Sequence, residues 1–506
     1  MDEKGQNLYN VFVIMSASVA KNAFYLTVAT IGQKVIAFFY FLLLANVFLK
    51  EQTGAYFLAL SITTIFSVVA DFGITPVVIR EVAKRPEGAV SLIRRALGLK
   101  LPIIILGMAG SVIAADLLGY NSEVKLLVLL ASIVMAEDAI SLLYFGVLRG
   151  LHVLRFESLG MIFGEIIICG LGSLSLLFYP SPVLLILALV AGSLFNAIFS
   201  ALRVVKQLGW KVLWPQLGGP ETLKLFKTSI PFALAGGFSK LYSYVDSVFL
   251  SIFIGTAAVG VYTVAYKMTY AFQFLPMAFV AALYPGMSAL VGKDEKKLSV
   301  LFEKSIWYLL IIGTPIIFGI FAIAPDVVRL TGVEYLEAVP TLHVLIFVLI
   351  PLFLDFPIGS LLNAADRQKT KTAIMGVTMT INVILNALLI PRVGIIGAAY
   401  AAEVSFWFMF LAGLYFVPKI IPNTPWKKLS WLFVRIIGCG VVMAAVTIFL
   451  RPILGFIPVV PVAAIIYGSL LFVTKSVKLE QLKELRGIIL RKKYEEATSI
   501  DTRLSA

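Results

Sequence analysis

Charged residues are scarce in this chain. They make up 14% of the 506 residues and hydrophobic residues 60%, whereas soluble domains average about 25% charged and 45–50% apolar residues. A spanning helix needs roughly 20 mostly apolar residues, so the chain has room for about fourteen such helices and for no sizeable soluble domain. The composition predicts an all-α integral membrane protein.

Cysteine and histidine are nearly absent. Cys169 and Cys439 lie in separate apolar runs, and His152 and His343 lack metal-ligand spacing. The pattern predicts neither a disulfide framework nor a metal site, and no cofactor is indicated. The loops between the apolar runs are too short for the active-site loop of a membrane polymerase or glycosyltransferase. An enzyme is therefore the weakest alternative.

Fourteen apolar windows predict fourteen membrane helices. A hydrophobic window predicts that a helix is present more reliably than it predicts where the helix begins and ends, so each boundary is approximate. The windows are 22–49, 54–79, 99–119, 123–148, 156–179, 182–205, 228–254, 258–290, 303–325, 337–363, 371–391, 394–418, 429–450 and 455–474.

The net charge of +14 comes from short basic clusters between apolar runs. This pattern is typical of topology signals and not of a nucleic-acid-binding face. With a cytoplasmic N-terminus, most of the 42 basic residues fall in inner segments. We therefore expect a multi-pass cell-membrane protein with both termini cytoplasmic. The exceptions are Lys50, Lys125, Arg329, Arg392 and Arg451 in outer loops, and Lys34, Lys240, Lys267 and Arg435 inside spans.

An internal repeat suggests two lobes. Gly54-Ala55-Tyr56 recurs 206 residues later as Gly260-Val261-Tyr262, and the same shift aligns Lys34 with Lys240. Transporters are often built from such repeats, with the substrate site where the repeats meet. We predict an N-lobe at 1–208, a cytoplasmic linker at 209–221, a C-lobe at 222–420, a helix pair at 421–474, and a basic amphipathic tail at 475–506 that lies on the membrane surface.

Lysines inside spans are costly and normally face a bundle interior or a water-filled cavity. Lys34 and Lys240 both lie roughly 22 Å from their outer loops at ~1.5 Å rise per residue. Helical spacing places each lysine in a polar stripe that we expect to line a central cavity. The stripes are Thr27, Thr30 and Lys34 in the first helix, and Gly236, Lys240, Ser243 and Ser247 in the seventh.

Each lysine has a structural reading beside a substrate-binding one. Asp71 lies at about the depth of Lys34, so an ion pair and a substrate role remain equally open for that lysine. For Lys240 the matching position is the uncharged Met277, which favours a substrate role. Asp246 and Lys267 lie level across the tight turn between the seventh and eighth helices, and this predicts a structural pair.

Five further acids inside the spans have no basic neighbour in sequence. They are protonated structural carboxyls or, with Asp71 and Asp246, candidates for coupling transport to Na+ or H+. Arg435 lies near the inner end of the thirteenth helix. We expect its side chain to reach the membrane–water interface and not to take part in the substrate site. The five acids are Glu137, Asp138, Glu165, Asp355 and Glu403.

Several short sequence segments resemble those of the polysaccharide biosynthesis flippases, which belong to the multidrug, oligosaccharidyl-lipid and polysaccharide exporter superfamily. They are Gly54-Ala55-Tyr56, residues 70–74 and 78–83, residues 246–251, and Leu389-Ile390-Pro391 followed by Gly397-Ala398-Ala399. The resemblance covers nearly the whole chain. It implies two six-helix bundles facing each other across a cleft, a helix pair beside the cleft, and alternating access by rocking of the lobes.

The resemblance implies a transporter that flips a polyprenyl-diphosphate-linked oligosaccharide or polysaccharide precursor. In this reading Lys34, Lys240 and Lys267 bind the substrate, and the protein works as a monomer among membrane lipids. Arg80, Arg149 and Arg155 would attract the anion at the cytoplasmic mouth. The acids inside the spans would also suit a cation-coupled multidrug exporter of the same superfamily, which stays the first alternative.

Overall fold

A computed structural model describes residues 30–477, apart from the side chains of residues 281 and 282. This part of the chain is helical and contains no strand. The helices are α1 (Thr30–Val47), α2 (Lys50–Asp71), α3 (Ile74–Lys84), α4 (Ala89–Leu117), α5 (Ser122–Gly150), α6 (Arg155–Phe178), α7 (Pro182–Leu208), α8 (Pro220–Phe253), α9 (Thr256–Tyr270), α10 (Phe274–Leu290), α11 (Glu295–Arg329), α12 (Val339–Leu345), α13 (Leu349–Ala364), α14 (Gln368–Val393), α15 (Ile395–Phe416), α16 (Trp426–Leu454) and α17 (Phe456–Val473).

The prediction of an all-α multi-pass membrane protein is confirmed. Within residues 30–477, twelve helices are long and apolar enough to span a membrane, and thirteen if the bent pair Thr256–Val280 and Leu283–Leu290 counts as one span. The predicted count of fourteen is therefore approximate. The remaining window corresponds to α8, a 34-residue helix whose hydropathy is lowered by Lys240, Asp246 and several serines. Those polar residues face the interior of the bundle and not lipid.

Two predicted spans are each broken into two helices. The second span breaks at Phe72 and Gly73, whose φ angles are 46° and 67°. Gly73 is required there because a Cβ atom would collide with the backbone of Ser229 and Ala233 in α8. The eighth span breaks at the 3₁₀ turn Ala271–Gln273. Both breaks fall inside the protein, where irregular backbone is tolerated at membrane depth.

Helix α2 is central to the packing. It contacts α4 and α5 among the first seven helices, and also α8 and α9. Following the predicted division of the chain, we call helices α1 to α7 the N-lobe and helices α8 to α15 the C-lobe. The helices α16 and α17 pack against each other and against α11. The helix pair predicted at 421–474 therefore lies beside the C-lobe.

Side-chain hydrogen bonds hold the C-terminal end of α17. The indole Nε1 of Trp307 donates to the carbonyl oxygen of Ser476 at 2.9 Å. Arg435 donates to the carbonyl oxygen of Thr474 at 3.3 Å and lies 4.9 Å over the Trp431 ring. Arg435 is thus held at the helix pair, away from the interface between the lobes. Most of the predicted amphipathic tail lies outside the described residues.

The predicted linker is packed against α4. It forms a 3₁₀ turn at Trp210–Leu213, where Val212 is fully buried. Gln216 N donates to the carbonyl oxygen of Arg94 at 2.8 Å, and Arg94 Nε donates to the carbonyl oxygen of Trp214 at 3.1 Å. The connection between the lobes is therefore held to the N-lobe.

Candidate functional site

A cavity of about 580 Å³ lies between the two lobes. Helices α2 and α5 form most of its N-lobe wall, and α8 and α9 form its C-lobe wall. The α8 stripe predicted from helical spacing is on this wall in full: Gly236, Lys240, Ser243 and Ser247. In the α1 stripe, Thr27 lies outside the described residues, and neither Thr30 nor Lys34 belongs to the wall.

Two lysines on the C-lobe wall lack a salt-bridge partner in the described part of the chain. Lys240 Nζ lies 5.8 Å from the centroid of the Tyr244 ring. Lys267 Nζ lies 4.9 Å over the Phe57 ring of α2. Lys34 is exposed on α1 and within electrostatic range of both ammonium groups. Two cations therefore line the cavity, and a third lies within electrostatic range of both.

The predicted pair of Asp246 with Lys267 is wrong. The buried Asp246 carboxylate accepts hydrogen bonds from the Tyr262 hydroxyl at 2.5 Å and from the Ser247 backbone N–H at 2.7 Å. Lys267 lies five residues after Tyr262 on α9 and faces α2 instead. Equal depth placed the two groups level, but depth does not determine which way a side chain points around the helix axis.

The sequence left a pair of Lys34 with Asp71 open, and the structure gives Asp71 a different partner. Asp71 bonds to Lys100 of α4 at 2.6 Å, and Lys100 Nζ also donates to Thr75 at 3.1 Å. The Lys100 side chain is 0% exposed and that of Asp71 is 21% exposed, so Asp71 alone reaches the cavity. Lys100 is the second residue of the predicted window 99–119, so the sequence groups it with the cations of the preceding inner loop. Helix α4 begins ten residues earlier, which places Lys100 inside the bundle.

Glu137 and Asp138 are neighbours with different surroundings. Asp138 is exposed to the cavity and within electrostatic range of Lys240 on the opposite wall, and it forms no salt bridge with a described residue. Glu137 points elsewhere, and its Oε2 is buried without a hydrogen-bond partner. Of the coupling candidates on α5, Asp138 is therefore the one that a ligand in the cavity can reach.

The other acids predicted inside the spans lie away from the cavity wall. Glu165 accepts from Gln33 Nε2 of α1 at 3.1 Å, and Glu403 from Trp407 Nε1 at 2.7 Å. Asp355 forms a salt bridge with Lys371 at 3.2 Å, so its lack of a basic neighbour in sequence was misleading. The turn between α13 and α14 brings that pair together.

None of the three arginines predicted at the cytoplasmic mouth belongs to the cavity wall. Arg149 forms a forked salt bridge with Glu157, with Nε at 2.6 Å from the carboxylate. Arg80 pairs with its neighbour Glu81 at 2.9 Å. Arg155 lies 4.7 Å over the Phe156 ring. Arg149 thus already has a partner, which weakens its predicted role in attracting an anion.

The repeated glycine phrases meet where α2 and α9 cross, at the end of the bundle that carries the α1–α2 and α8–α9 turns. We call this the hairpin end. A Cβ atom on Gly54 would collide with the Thr256 carbonyl oxygen, and one on Gly260 with the Lys50 carbonyl oxygen. The two helix backbones therefore touch, as small residues allow in membrane bundles. The copies of the repeat contact each other directly.

Tyr335, from the 3₁₀ helix Val333–Ala338 before α12, reinforces this crossing. Its fully buried hydroxyl lies 2.7 Å from Thr53 Oγ1 and donates to the Phe48 carbonyl oxygen at 2.9 Å. Lys50 and Glu337 form a salt bridge at 2.9 Å nearby. These contacts join the lobes and close the cavity at the hairpin end.

Residues 30–477 contain no group of three histidine, cysteine, aspartate or glutamate side chains that could hold a metal ion. His343 Nε2 is 3.1 Å from the Phe321 carbonyl oxygen. Cys169 and Cys439 are both free thiols. The charged cavity is accordingly the strongest candidate site in the described part of the chain.

Known proteins that are similar to this chain include two curated flippases and one flippase of solved structure. It is 28% identical to the probable flippase AglR of Haloferax volcanii over 45% of this chain and 47% of that protein. It is 23% identical to the probable low-salt glycan biosynthesis flippase Agl15 of the same organism over 86% and 90% of the two chains. A solved structure of the lipid II flippase MurJ in an inward closed conformation superposes with a TM-score of 0.71 at 17% identity, covering 90% of this chain and 99% of that one. The chain thus spans less than half the length of some curated relatives, AglR among them.

Family models complete the assignment. The model described as MatE matches residues 231–388. The model described as polysaccharide biosynthesis protein matches residues 19–291, which is more than half of the chain. This match confirms the resemblance seen in the sequence phrases, and the chain belongs to the polysaccharide biosynthesis protein family.

Proposed function

We propose that this protein flips a polyprenyl-diphosphate-linked oligosaccharide or polysaccharide precursor from the cytoplasmic to the outer leaflet. The charge balance of the cavity carries the proposal. Lys240 and Lys267 line it without a salt bridge to a described residue, and Lys34 lies close by. Of the two carboxylates on the wall, Asp71 is neutralised by Lys100, which leaves Asp138. The balance is positive and suits an anion such as a diphosphate.

The relatives support the same substrate class. AglR and Agl15 are named as probable flippases, Agl15 in glycan biosynthesis, and MurJ as a lipid II flippase. Flipping moves the substrate from one leaflet to the other without making or breaking a covalent bond, so no residue is assigned a catalytic role. Membrane lipids are the surrounding partners, and a monomer is sufficient because the cavity is formed within one chain.

Alternating access requires the seal at the hairpin end to open. The α2–α9 crossing is held by backbone contact at Gly54 and Gly260 and by the Tyr335 hydrogen bonds. Opening the hairpin end would break these contacts and the Lys50–Glu337 salt bridge, and would leave each lobe intact. The Lys/Arg bias of the loops favours a hairpin end that lies outside and termini that both lie in the cytoplasm of a cell-membrane protein.

A cation-coupled multidrug exporter is the second candidate, favoured by the MatE match over residues 231–388 and by Asp138 in the cavity. The positive balance of the wall argues against an organic cation as cargo. Coupling of flipping to Na+ or H+ remains part of the proposal. Glu137 and Glu403 are suitable carboxylates, because each has a buried Oε2 without a hydrogen-bond partner.

Reconstitution tests the proposal. The purified protein in vesicles should move a fluorescent short-chain polyprenyl-diphosphate saccharide between leaflets, and Lys240→Met should lose this activity with normal yield. Arg435→Met is the matched control, because it removes a cation outside the cavity. Normal flipping by Lys240→Met, or transport of a lipophilic cation in place of the saccharide, would overturn the proposal.

A further inference from the structure

Asp138 is unexplained by diphosphate binding. Its carboxylate is exposed to the cavity, and Lys240 on the opposite wall lies within electrostatic range. Ser193 of α7 is its other polar neighbour. A carboxylate in this position repels a bound anion, and a solely anionic cargo would be bound more tightly without it. The residue therefore points to a second kind of group on the ligand.

The hydroxyl groups of the cavity wall support the same conclusion. Seven serine and threonine residues line the cavity. Most of them donate their only proton to a carbonyl oxygen of their own helix, so they offer a ligand just their acceptor lone pairs. These donors are Ser61 to Phe57 at 2.8 Å, Thr63 to Ala59 at 2.9 Å, Ser67 to Thr64 at 2.6 Å, Ser243 to Ser239 at 2.9 Å and Thr263 to Val259 at 2.7 Å.

The remaining two hydroxyls differ. Ser247 lies beside the Asp246 carboxylate, which can only accept, so its proton is also committed. Thr64 forms no hydrogen bond through its side chain with a described residue and can donate to a ligand. With Lys240 and Lys267, Thr64 belongs to the donors that suit the diphosphate. The Asp138 carboxylate and the serine oxygens form a separate set of acceptors.

A ligand that satisfies both sets carries an anion and, next to it, several hydrogen-bond donors. An uncharged sugar supplies such donors as its ring hydroxyls, and a carboxylate can accept two of them at once. An acidic sugar would instead bring a second carboxylate towards Asp138. The wall thus distinguishes neutral from acidic sugars by charge as well as by hydrogen bonding.

We propose that Asp138, together with hydroxyl oxygens of the cavity wall, accepts hydrogen bonds from an uncharged sugar next to the diphosphate and selects against acidic sugars there. The inference rests on the proposed function and assigns the specificity of the same cavity. Lys240 and Lys267 bind the diphosphate, and Asp138 forms hydrogen bonds with the sugar.

Binding of three probes to the full-length protein in nanodiscs tests this assignment. The probes are a short-chain polyprenyl diphosphate without sugar, the same lipid bearing glucose, and the same lipid bearing glucuronic acid. We expect the glucose lipid to bind most tightly to the natural protein. Asp138→Asn should reduce the preference for glucose over glucuronic acid about tenfold, the usual scale for one charged contact, and should leave binding of the sugar-free lipid unchanged or tighter.

Asp116→Asn is the matched control, because it removes the same charge from an exposed salt bridge with Lys125 outside the cavity. Equal weakening of all three probes by Asp138→Asn would show that Asp138 only positions Lys240, and the inference would be wrong. Lys240-dependent binding of the sugar-free lipid with no gain from glucose would reject the inference and retain the proposed function. Failure of every probe to bind would reject both.

Discussion

The N-lobe and C-lobe walls of the cavity differ in the sign of their charges. Helices α2 and α5 contribute the carboxylates Asp71 and Asp138, while α8 and α9 contribute the ammonium groups Lys240 and Lys267. Among the described residues, only the N-lobe wall has an internal counterion, because Lys100 lies behind Asp71. The C-lobe cations form no salt bridge with a described residue, which is the basis for assigning them to an anionic ligand.

The two copies of the predicted repeat share a helix crossing and differ in their charges. The glycine crossing of α2 and α9 uses matching residues of both repeats. The charged positions do not match: Asp71 corresponds to Met277, and Lys267 to Ser61, at the same shift of 206 residues. The two walls therefore share the glycine crossing of their helices but differ in the charges that they present to the cavity.

The largest effect is expected from breaking the N-lobe pair. Asp71→Asn leaves Lys100 buried without a counterion and should lower the free energy of unfolding by about 3 to 5 kcal/mol. The double variant Asp71→Asn and Lys100→Met should regain much of that loss. Thermal unfolding in detergent measures both.

The exposed pair of Asp116 with Lys125 is the control for this prediction, and Asp116→Asn should change stability by about 0 to 1 kcal/mol. If Asp71→Asn were as stable as that control, Lys100 would not depend on Asp71, and the contrast between the walls would lose its structural basis.

On the C-lobe wall, Lys240→Met should weaken binding of a polyprenyl diphosphate about 10- to 100-fold, the value of a hydrogen bond to a charged group. Lys240→Arg should retain part of the affinity because it keeps the charge. Lys34→Met should have a smaller effect, because Lys34 lies beside the cavity and not on its wall. Titration of the detergent-solubilised variants gives the order, and an effect of Lys34→Met larger than that of Lys240→Met would reverse the assignment.

Tyr262→Phe tests the observed partner of Asp246. It leaves a buried carboxylate oxygen without its donor and should cost about 1 to 3 kcal/mol of stability. Tyr266→Phe, one turn along α9, removes a hydroxyl that does not bond to Asp246 and is the control. Lys267→Met should leave stability nearly unchanged. A loss of stability in Lys267→Met comparable to that in Tyr262→Phe would revive the rejected pair.

The smallest effect concerns the seal between the walls. Tyr335→Phe removes the hydrogen bond to Phe48 and should shift the conformational equilibrium towards an open hairpin end by about 0.5 to 1.5 kcal/mol. Spin labels on Leu118→Cys in the N-lobe and Ile254→Cys in the C-lobe would report the opening as a longer distance population. An unchanged distance distribution would exclude Tyr335 as part of the seal.

Helical spacing predicted the cavity stripe of α8, since Gly236, Lys240, Ser243 and Ser247 repeat with the period of a helix. Depth alone was a poorer guide. It paired Asp246 with Lys267, whereas the orientation of each side chain depends on how α8 and α9 are rotated against each other. Such rotation is decided by packing between helices, which one sequence does not show.

Two other partners were hidden for related reasons. Lys100 is grouped with the inner-loop cations because it lies at the very start of the window 99–119, although α4 begins at Ala89. The contact between Asp355 and Lys371 crosses the turn between α13 and α14. The sequence identified which charges were costly, and the three-dimensional arrangement determined which of them remained unpaired.

The polarity of the cavity is tested most directly by measuring its ligand preference. The natural protein is titrated with a short-chain polyprenyl diphosphate and, separately, with a lipophilic cation such as tetraphenylphosphonium. We expect the diphosphate to bind, to weaken as salt is raised, and to lose affinity in Lys240→Met and Lys267→Met, while the cation does not bind. Tight binding of the cation that depends on Asp138 and is indifferent to both lysines would contradict the assignment of the cavity to an anion.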